Sequence, residues 1–253
     1  MKYADIYALL VSLLAQIQEI LGDKLVGFYL YGSLVWGDFD YETSDIDLLA
    51  ITSAELNDAE FNSLEKMHTE FVKKRKQWHN RIEEQYYSAL GLETFKTKPS
   101  KMAVISPGEP FHLIEAGSER LMNWYFVHEH GVTLFGPPPQ NFIGPISKEE
   151  FIDAVKEHAK SWRKHIVQTM HKRPYQSYAI LTMCRALYTV KNGNQVSKKQ
   201  AALWAQEQLP EWSALIQRAL LWRRGDWRTE RADHESTYPE ALKFVHYVID
   251  QIA

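Results

Sequence analysis

The sequence predicts an α+β protein of two domains. An N-terminal α/β domain with a short mixed sheet spans residues 1–146, and an all-α helical bundle domain follows over residues 147–253. Three observations predict it. Strand-like and helix-like hydrophobic periods alternate through the first half of the chain. Only helix-like periods occur after residue 147, and Gly136-Pro137-Pro138-Pro139 separates the two regimes. Strands layered with helices, then helices alone, require two separate cores. A run of prolines stiffens a connection and cannot continue a helix. With 253 residues, 45% of them hydrophobic and 24% charged, the chain is long and apolar enough to build both.

Ile6, Leu9, Leu10, Leu13, Leu14, Ile17, Ile20 and Leu21 recur on one helical face over residues 4–21, and Gly22-Asp23 ends that helix. Leu25–Tyr31 reads as a first apolar strand, a polar Gly- and Asp-containing loop follows, and Asp45–Ile51 reads as a second strand. Phe61, Leu64, Met67, Phe71 and Val72 mark one side of a helix over residues 58–77. Arg81–Ser88 alternates aromatic and polar residues as a third strand. Residues 90–110 are expected to be an irregular excursion, 111–115 a further strand, and 119–130 a helix stopped at Gly131. Beyond the prolines, Ser147-Lys148-Glu149-Glu150 has the capping-box pattern of a helix start. Helices are expected over residues 148–171, 175–191, 198–208, 211–224 and 239–252.

The chemistry concentrates between the first two strands. Gly32-Ser33 follows the first strand, and Ser44-Asp45-Ile46-Asp47-Leu48 opens the second. Residues at i and i+2 of a strand share a face, so Asp45 and Asp47 present their carboxylates together while Ile46 and Leu48 face away. Two like charges that close favour a cation between them, and hard oxygen ligands suit Mg²⁺. Gly32 permits close backbone approach to a ligand, and the Ser33 hydroxyl with nearby N–H groups suits phosphate oxygens. The combination resembles the Gly-Ser-x(n)-Asp-x-Asp signature of nucleotidyltransferases. That resemblance implies ATP and Mg²⁺ as cofactors, with Asp45 and Asp47 as catalytic metal ligands and an acceptor hydroxyl attacking the α-phosphorus.

Such an attack needs a further carboxylate to take the hydroxyl proton. Glu83 and Glu84 on the third strand are the candidates, and alternation lets only one of them face the site. Glu84 shares parity with the apolar-looking Ile82 and Tyr86. Glu83 shares it with Arg81, Gln85 and Tyr87, the more polar face, and is the favoured base. The alternative is that both are solvated edge charges. In the helical half, Lys198 occupies the first position of a helix capped by Ser197, where free N–H groups and positive potential favour phosphate. Arg185 stands among Leu181, Ala186 and Leu187, where a guanidinium calls for a partner, either a structural carboxylate or a phosphate. Trp222 or Trp227, flanked by arginines, suits stacking on an adenine ring.

Nearly the whole chain is similar to the streptomycin/spectinomycin (aminoglycoside) adenylyltransferases, a group of two-domain nucleotidyltransferases. Besides the Gly32-Ser33 and Asp45-Ile46-Asp47 signature, Arg81-Ile82-Glu83 matches the strand carrying the family's catalytic base. Gly131-Val132-Thr133-Leu134-Phe135-Gly136-Pro137 matches the segment leading into the helical domain. Leu181-Thr182-Met183-Cys184-Arg185, Ser197-Lys198-Lys199-Gln200-Ala201-Ala202-Leu203-Trp204-Ala205 and Phe244-Val245-His246-Tyr247-Val248 match helical-domain motifs. The resemblance implies that Arg185 and Lys198 contact ATP and that the adenine-stacking aromatic falls at Trp222. It departs from the family at His171-Lys172-Arg173-Pro174-Tyr175, where the family carries antibiotic-binding acidic residues. No counterpart of a family Trp stands around Pro107–Leu113.

Residues 161–230 hold 12 Lys+Arg against 4 Asp+Glu, although the net charge of the chain is -3. A basic later segment and an acidic first half suit a small polyanion with metal on one side, with the acceptor held between the two domains. A long nucleic acid asks for a broader basic surface. The single cysteine, Cys184, excludes an intrachain disulfide and fits a cytoplasmic location. The expected partners are ATP and a small-molecule hydroxyl acceptor, with no nucleic acid and no membrane, and the expected state is a monomer. The alternatives are a protein or other acceptor, and a non-enzymatic ATP-binding module. A bare ATP-binding module would leave three placed carboxylates without a role.

Overall fold

The structure, a computed structural model, describes residues 3–223 and 234–252. It divides into two compact units. One gathers Met1–Phe39 and Ser44–Pro145, the other Asp40–Thr43 and Ile146–Ala253.

The first unit runs α1 (Ala4–Leu21), β1 (Leu25–Tyr31), β2 (Ile46–Thr52), α2 (Asp58–Lys73), β3 (Ile82–Ser88), α3 (Ala89–Thr94), β4 (Ser100–Ile105), β5 (His112–Ala116), α4 (Leu121–His130) and β6 (Val132–Phe135). Its mixed sheet has the order β5-β4-β3-β2-β1-β6. β2 and β3 are parallel and every other neighbouring pair is antiparallel. A parallel pair needs a crossover, and α2 supplies it. Strand alternation then sorts the sheet faces. Ile46, Leu48 and Ala50 of β2 pack with Ile82 and Tyr86 of β3, with the α1 stripe Ile6, Leu9, Leu13 and Ile17, and with Leu64 and Phe71 of α2. Asp47 and Glu83 therefore face the opposite side. α1 is long and apolar enough by length and composition to cross a membrane, with a mean hydropathy of 1.4. Its stripe is nevertheless spent on this core. Asn57 and Glu60 close a capping box at the start of α2.

One segment corrects the sequence reading and a second adds to it. Residues 90–110 are not an irregular excursion, because α3 and β4 occupy most of them. The Ser88 hydroxyl accepts from Gly91 N–H at 3.0 Å and starts α3. Lys101 and Ala103 of β4 are weak strand formers alone, and the segment becomes a strand by pairing on both sides, with β3 and β5. The Val132–Phe135 segment ahead of the prolines is a sheet strand rather than a simple lead-in, paired with β1. The Tyr29 hydroxyl then donates to Pro137 O at 2.7 Å and fastens the proline run to the sheet.

The second unit is helical: α5 (Lys148–His165), α6 (Arg173–Asn192), α7 (Lys198–Gln208), α8 (Ser213–Trp222) and α9 (Tyr238–Ile252). The Ser147 hydroxyl and the Glu150 carboxylate close the capping box at the head of α5. α5 stops at His165, earlier than its pattern suggests, and the chain continues as a 3-10 turn over Ile166–Thr169. α6 is the central helix, packed against α5, α7, α8 and α9. Its Ser177 hydroxyl donates to Ala219 O on α8 at 2.6 Å.

Candidate active site

The parallel register of β2 and β3 sets Asp47 directly opposite Glu83. Asp45 lies one residue ahead of β2, two positions from Asp47 and on the same side. One carboxylate oxygen from each of Asp45, Asp47 and Glu83 lies within 4.8 Å of the others, and all three residues are partly exposed. Arg81 fixes the entry to this cluster. Its Nε and Nη2 donate to Ser44 O at 3.0 and 2.6 Å, and Ile46 N–H donates to Arg81 O at 2.8 Å. The backbone on both sides of Asp45 is thus pinned to the start of β3. Three hard oxygen donors at this spacing fit Mg²⁺.

Gly32 lies against the cluster. Its φ is +77°, and a Cβ built on it would stand 1.8 Å from Asp47 Oδ2 and 2.5 Å from Asp47 Cγ. Only glycine combines that backbone with that approach. A tight 3-10 turn over Gly32–Leu34 follows, with Val35 N–H donating to Gly32 O at 3.1 Å. The Ser33 hydroxyl oxygen is buried without a hydrogen-bond partner. A buried hydroxyl beside a carboxylate cluster is a group that a ligand oxygen would satisfy.

The adjacent glutamates separate completely. Glu84 is fully buried on the α1/α2 face, with Oε2 3.8 Å from His68 Nε2. Burial pushes its carboxyl up to about 8, although the Tyr86 hydroxyl nearby opposes the shift. Neither Glu84 oxygen makes a hydrogen bond of normal geometry. Burial likewise pushes His68 down to about 3, and its Nε2 lies 2.8 Å from the Tyr86 hydroxyl. Both groups are neutral at pH 7, and the contact is not an ion pair.

This pair sets a pH dependence. A carboxyl raised above its unfolded value of 4.5 stabilises fully below that value and loses the contribution as pH climbs to about 8. A histidine lowered below 6.5 acts in the opposite sense, and its contribution is lost as pH falls from 6.5 towards about 3. Between pH 6.5 and 8 only Glu84 operates, so the thermal midpoint is expected to fall with rising pH. Glu84→Gln is expected to flatten that slope. Melting curves at half-unit pH steps check this, and an equal slope in the variant would rule Glu84 out.

The side of β3 that carries Glu83 is not an open polar cleft along its length, as its residue types suggest. Gln85 is 1% exposed and Tyr87 0%. α4 covers this part of the face: the Tyr87 ring stacks on Trp124 at 5.6 Å, and its hydroxyl donates to Ala116 O at 2.6 Å. Only the Glu83 end stays open. Tyr31, the residue opposite Asp47 on β1, is buried beneath the carboxylates. Burial and then Glu83, Asp47 and Asp45 hold its phenol well above the usual range, with Arg120 opposing.

The second unit carries its own polar cluster. Arg185 on α6 and Lys198 at the head of α7 are both partly exposed, and Ser197 caps α7 by accepting from Gln200 N–H at 3.1 Å. The Lys198 ammonium lies 4.2 Å from the centre of the Tyr178 ring. Both cations act on a shared neighbour, His158 of α5. Burial first, then Arg185, His165 and Lys198, push it down to about 4. Trp162 Nε1 donates to His158 Nε2 at 3.3 Å, so the neutral ring carries its proton on Nδ1. Trp222, at the end of α8, has the guanidinium carbons of Arg173 and Arg218 at 5.4 and 5.9 Å from its ring centre. Trp227, the other aromatic considered for stacking, lies outside the described residues. In the segment with no acidic residue of its own, His171 Nδ1 sits 2.8 Å from Glu235, so a carboxylate reaches it from just ahead of α9.

Residues 141–251 match the family described as aminoglycoside adenylyltransferase, C-terminal domain. Over these residues the chain is similar to the C-terminal domain of aminoglycoside adenylyltransferases. Over 125 residues the chain is 29% identical to the Aminoglycoside (3'') (9) adenylyltransferase of Rhizobium radiobacter, a match covering 49% of this chain and 44% of that protein. The enzyme of the same name from Escherichia coli is also 29% identical over 125 residues, with 45% of its length covered. The match thus spans less than half the length of these relatives. In fold, the chain is similar to the crystal structure of spectinomycin adenyltransferase AAD(9) from Enterococcus faecialis with ATP and spectinomycin. The TM-score is 0.74 at 18% identity, over 97% of this chain and 98% of that one. Arg185, Lys198 and Trp222 all fall inside the aminoglycoside adenylyltransferase domain match.

Sequence reasoning missed His158, Tyr31 and Arg120. His158 has no local signal, because only the packing of α5 on α6 brings Arg185 to it. Tyr31 and Gln85 carried one: both precede or share parity with residues already singled out, Gly32 and Glu83.

Proposed function

We propose that the protein is a Mg²⁺-dependent adenylyltransferase that moves AMP from ATP to a hydroxyl of a small molecule, an aminoglycoside-type antibiotic of the spectinomycin or streptomycin kind. The observation that carries this reading is the convergence of Asp45, Asp47 and Glu83 beside Gly32-Ser33. Residues 1–146 would form the catalytic domain and 147–253 the helical domain of a cytoplasmic monomer.

Asp45 and Asp47 would hold Mg²⁺, which when bound neutralises phosphate charge and polarises the α-phosphorus. Glu83 takes the proton of the acceptor hydroxyl as its oxygen bonds to the α-phosphorus. The α–β phosphoanhydride bond breaks and pyrophosphate leaves. Positioning and charge dominate such transfers, and the protein need form no covalent bond to the substrate. Ser33 offers its unpartnered hydroxyl to a phosphate oxygen, Arg185 and Lys198 bind further phosphate oxygens, and Trp222 stacks on the adenine.

The test is incubation with Mg²⁺-ATP and a panel of aminoglycosides including spectinomycin and streptomycin, following pyrophosphate release and the AMP mass increment. Adduct formation is the expected result. ATP binding without any adduct would refute the acceptor class, and no ATP binding would refute the whole reading. Arg185→Ala and Lys198→Ala are each expected to weaken ATP binding roughly 10- to 100-fold, the effect of losing a hydrogen bond to a charged group. Titration calorimetry reads this directly, and unchanged affinity would remove that residue from the phosphate site.

A further inference from the structure

We propose that Gln85 is a positioning residue for Glu83. Its buried amide holds the Glu83 carboxylate towards the acceptor hydroxyl, and Tyr31 anchors the amide from the other side. This rests on the reading of Glu83 as the base.

Gln85 Nε2 donates to the Tyr31 hydroxyl at 2.8 Å and reaches Glu83 Oε1 at 3.4 Å. The second contact is long for a hydrogen bond, as catalytic contacts often are before substrate binds. The amide can face only one way, because its oxygen placed against a carboxylate oxygen would repel it. Gln85 is 1% exposed and Tyr31 6%, so neither amide nor phenol is shared with solvent.

Packing does not account for a glutamine at this position. The cross-strand neighbours of Gln85 are Leu49 on β2 and Val104 on β4, both apolar. Its own Oε1 is buried with no hydrogen-bond partner. A leucine or methionine would fill the space without stranding an acceptor. A buried polar side chain kept at a cost, two residues from the base on the same strand face, is explained by what its nitrogen does. The charged groups around the Tyr31 end are Asp45, Asp47, Glu83 and Arg120. The neutral phenol takes up the amide's second N–H without adding a further charge.

The experiment compares Gln85→Leu and Tyr31→Phe in the wild-type and Glu83→Gln backgrounds. Gln85→Leu is expected to lower kcat about 10- to 100-fold, the usual effect of removing an outer partner of a reacting group. The KM for ATP is expected to stay within about threefold. The thermal midpoint is expected to hold or rise, since the stranded acceptor is gone. Tyr31→Phe is expected to lower kcat less, because Gln85 still reaches Glu83. In the Glu83→Gln background, Gln85→Leu is expected to cost nothing further. A kcat within twofold of wild type, or an equal loss in both backgrounds, would overturn the proposal. Gln85→Met repeats the test should Gln85→Leu fail to fold.

A crystal structure of Gln85→Leu decides the matter independently of activity. Glu83 turned away or spread over several rotamers supports positioning, and a single unchanged rotamer overturns it. If the wild-type protein transfers no AMP to any acceptor, the functional reading fails while this structural comparison still stands.

Discussion

Glu83→Gln is expected to reduce adenylyl transfer by roughly 10²- to 10⁴-fold, the range for loss of a general base, while ATP affinity and thermal stability stay close to wild type. The variant keeps shape and hydrogen-bonding capacity and removes only the ability to take a proton. The adjacent Glu84→Gln is the matched control. Glu84 sits on the opposite face with its carboxyl pushed up to about 8, so it already carries its proton at neutral pH and an amide is a near-isostere there. Steady-state kinetics on both variants tests the assignment. Full activity in Glu83→Gln, or equal losses in the two, would show that neither geometry nor parity identifies the base.

A comparable loss is expected from a change with no chemistry of its own. Gly32→Ala sets a methyl 1.8 Å from Asp47 Oδ2 on a backbone with φ +77°. Asp47 must move, and a displacement of about 1 Å at a reacting centre costs on the order of 100-fold in rate. The left-handed backbone adds about 1–2 kcal/mol of instability. Gly37→Ala separates the two effects. Gly37 has a φ of +70°, and a Cβ there meets nothing within 4 Å. That variant is expected to lose a few degrees of thermal midpoint and little rate. Calorimetry and kcat/KM on the pair provide the measurement, and a Gly32→Ala enzyme as active as Gly37→Ala would remove the close approach from the site's requirements.

The parts of the site governed by local period were legible in the sequence. Alternation along β2 puts Asp45 and Asp47 on one side, and alternation along β3 separates Glu83 from Glu84, because a strand offers only two faces. Helix starts marked by Ser147 and Ser197 were legible for a similar reason, since a cap acts within three residues. What depends on distant partners was not. β4 draws much of its strand character from neighbours across the sheet. Residues 90–110 therefore read as a loop. The neutral Glu84–His68 contact and the lowered His158 arise only when α2 packs on β3 and α5 on α6. The polar face of β3 misled in the other direction, because Gln85 and Tyr87 look solvent-facing until α4 covers them.

The Glu83-Glu84 pair leaves β3 with two reading frames. A slip of one residue against β2 would bring Glu84 opposite Asp47 in place of Glu83, turn Glu83 inward opposite Ile46 and set Gln85 opposite Leu48. A carboxylate faces Asp47 in either frame, and the aromatics downstream tell the frames apart. In the native frame Tyr86 meets His68 and Tyr87 stacks on Trp124, and the slip sends both to the wrong side of the sheet. The chemistry is therefore guarded by two tyrosines that never touch it. A one-residue insertion in the exposed His79-Asn80 turn is the kind of length change this arrangement absorbs, whereas one between Glu84 and Tyr87 uncouples the frame from its lock.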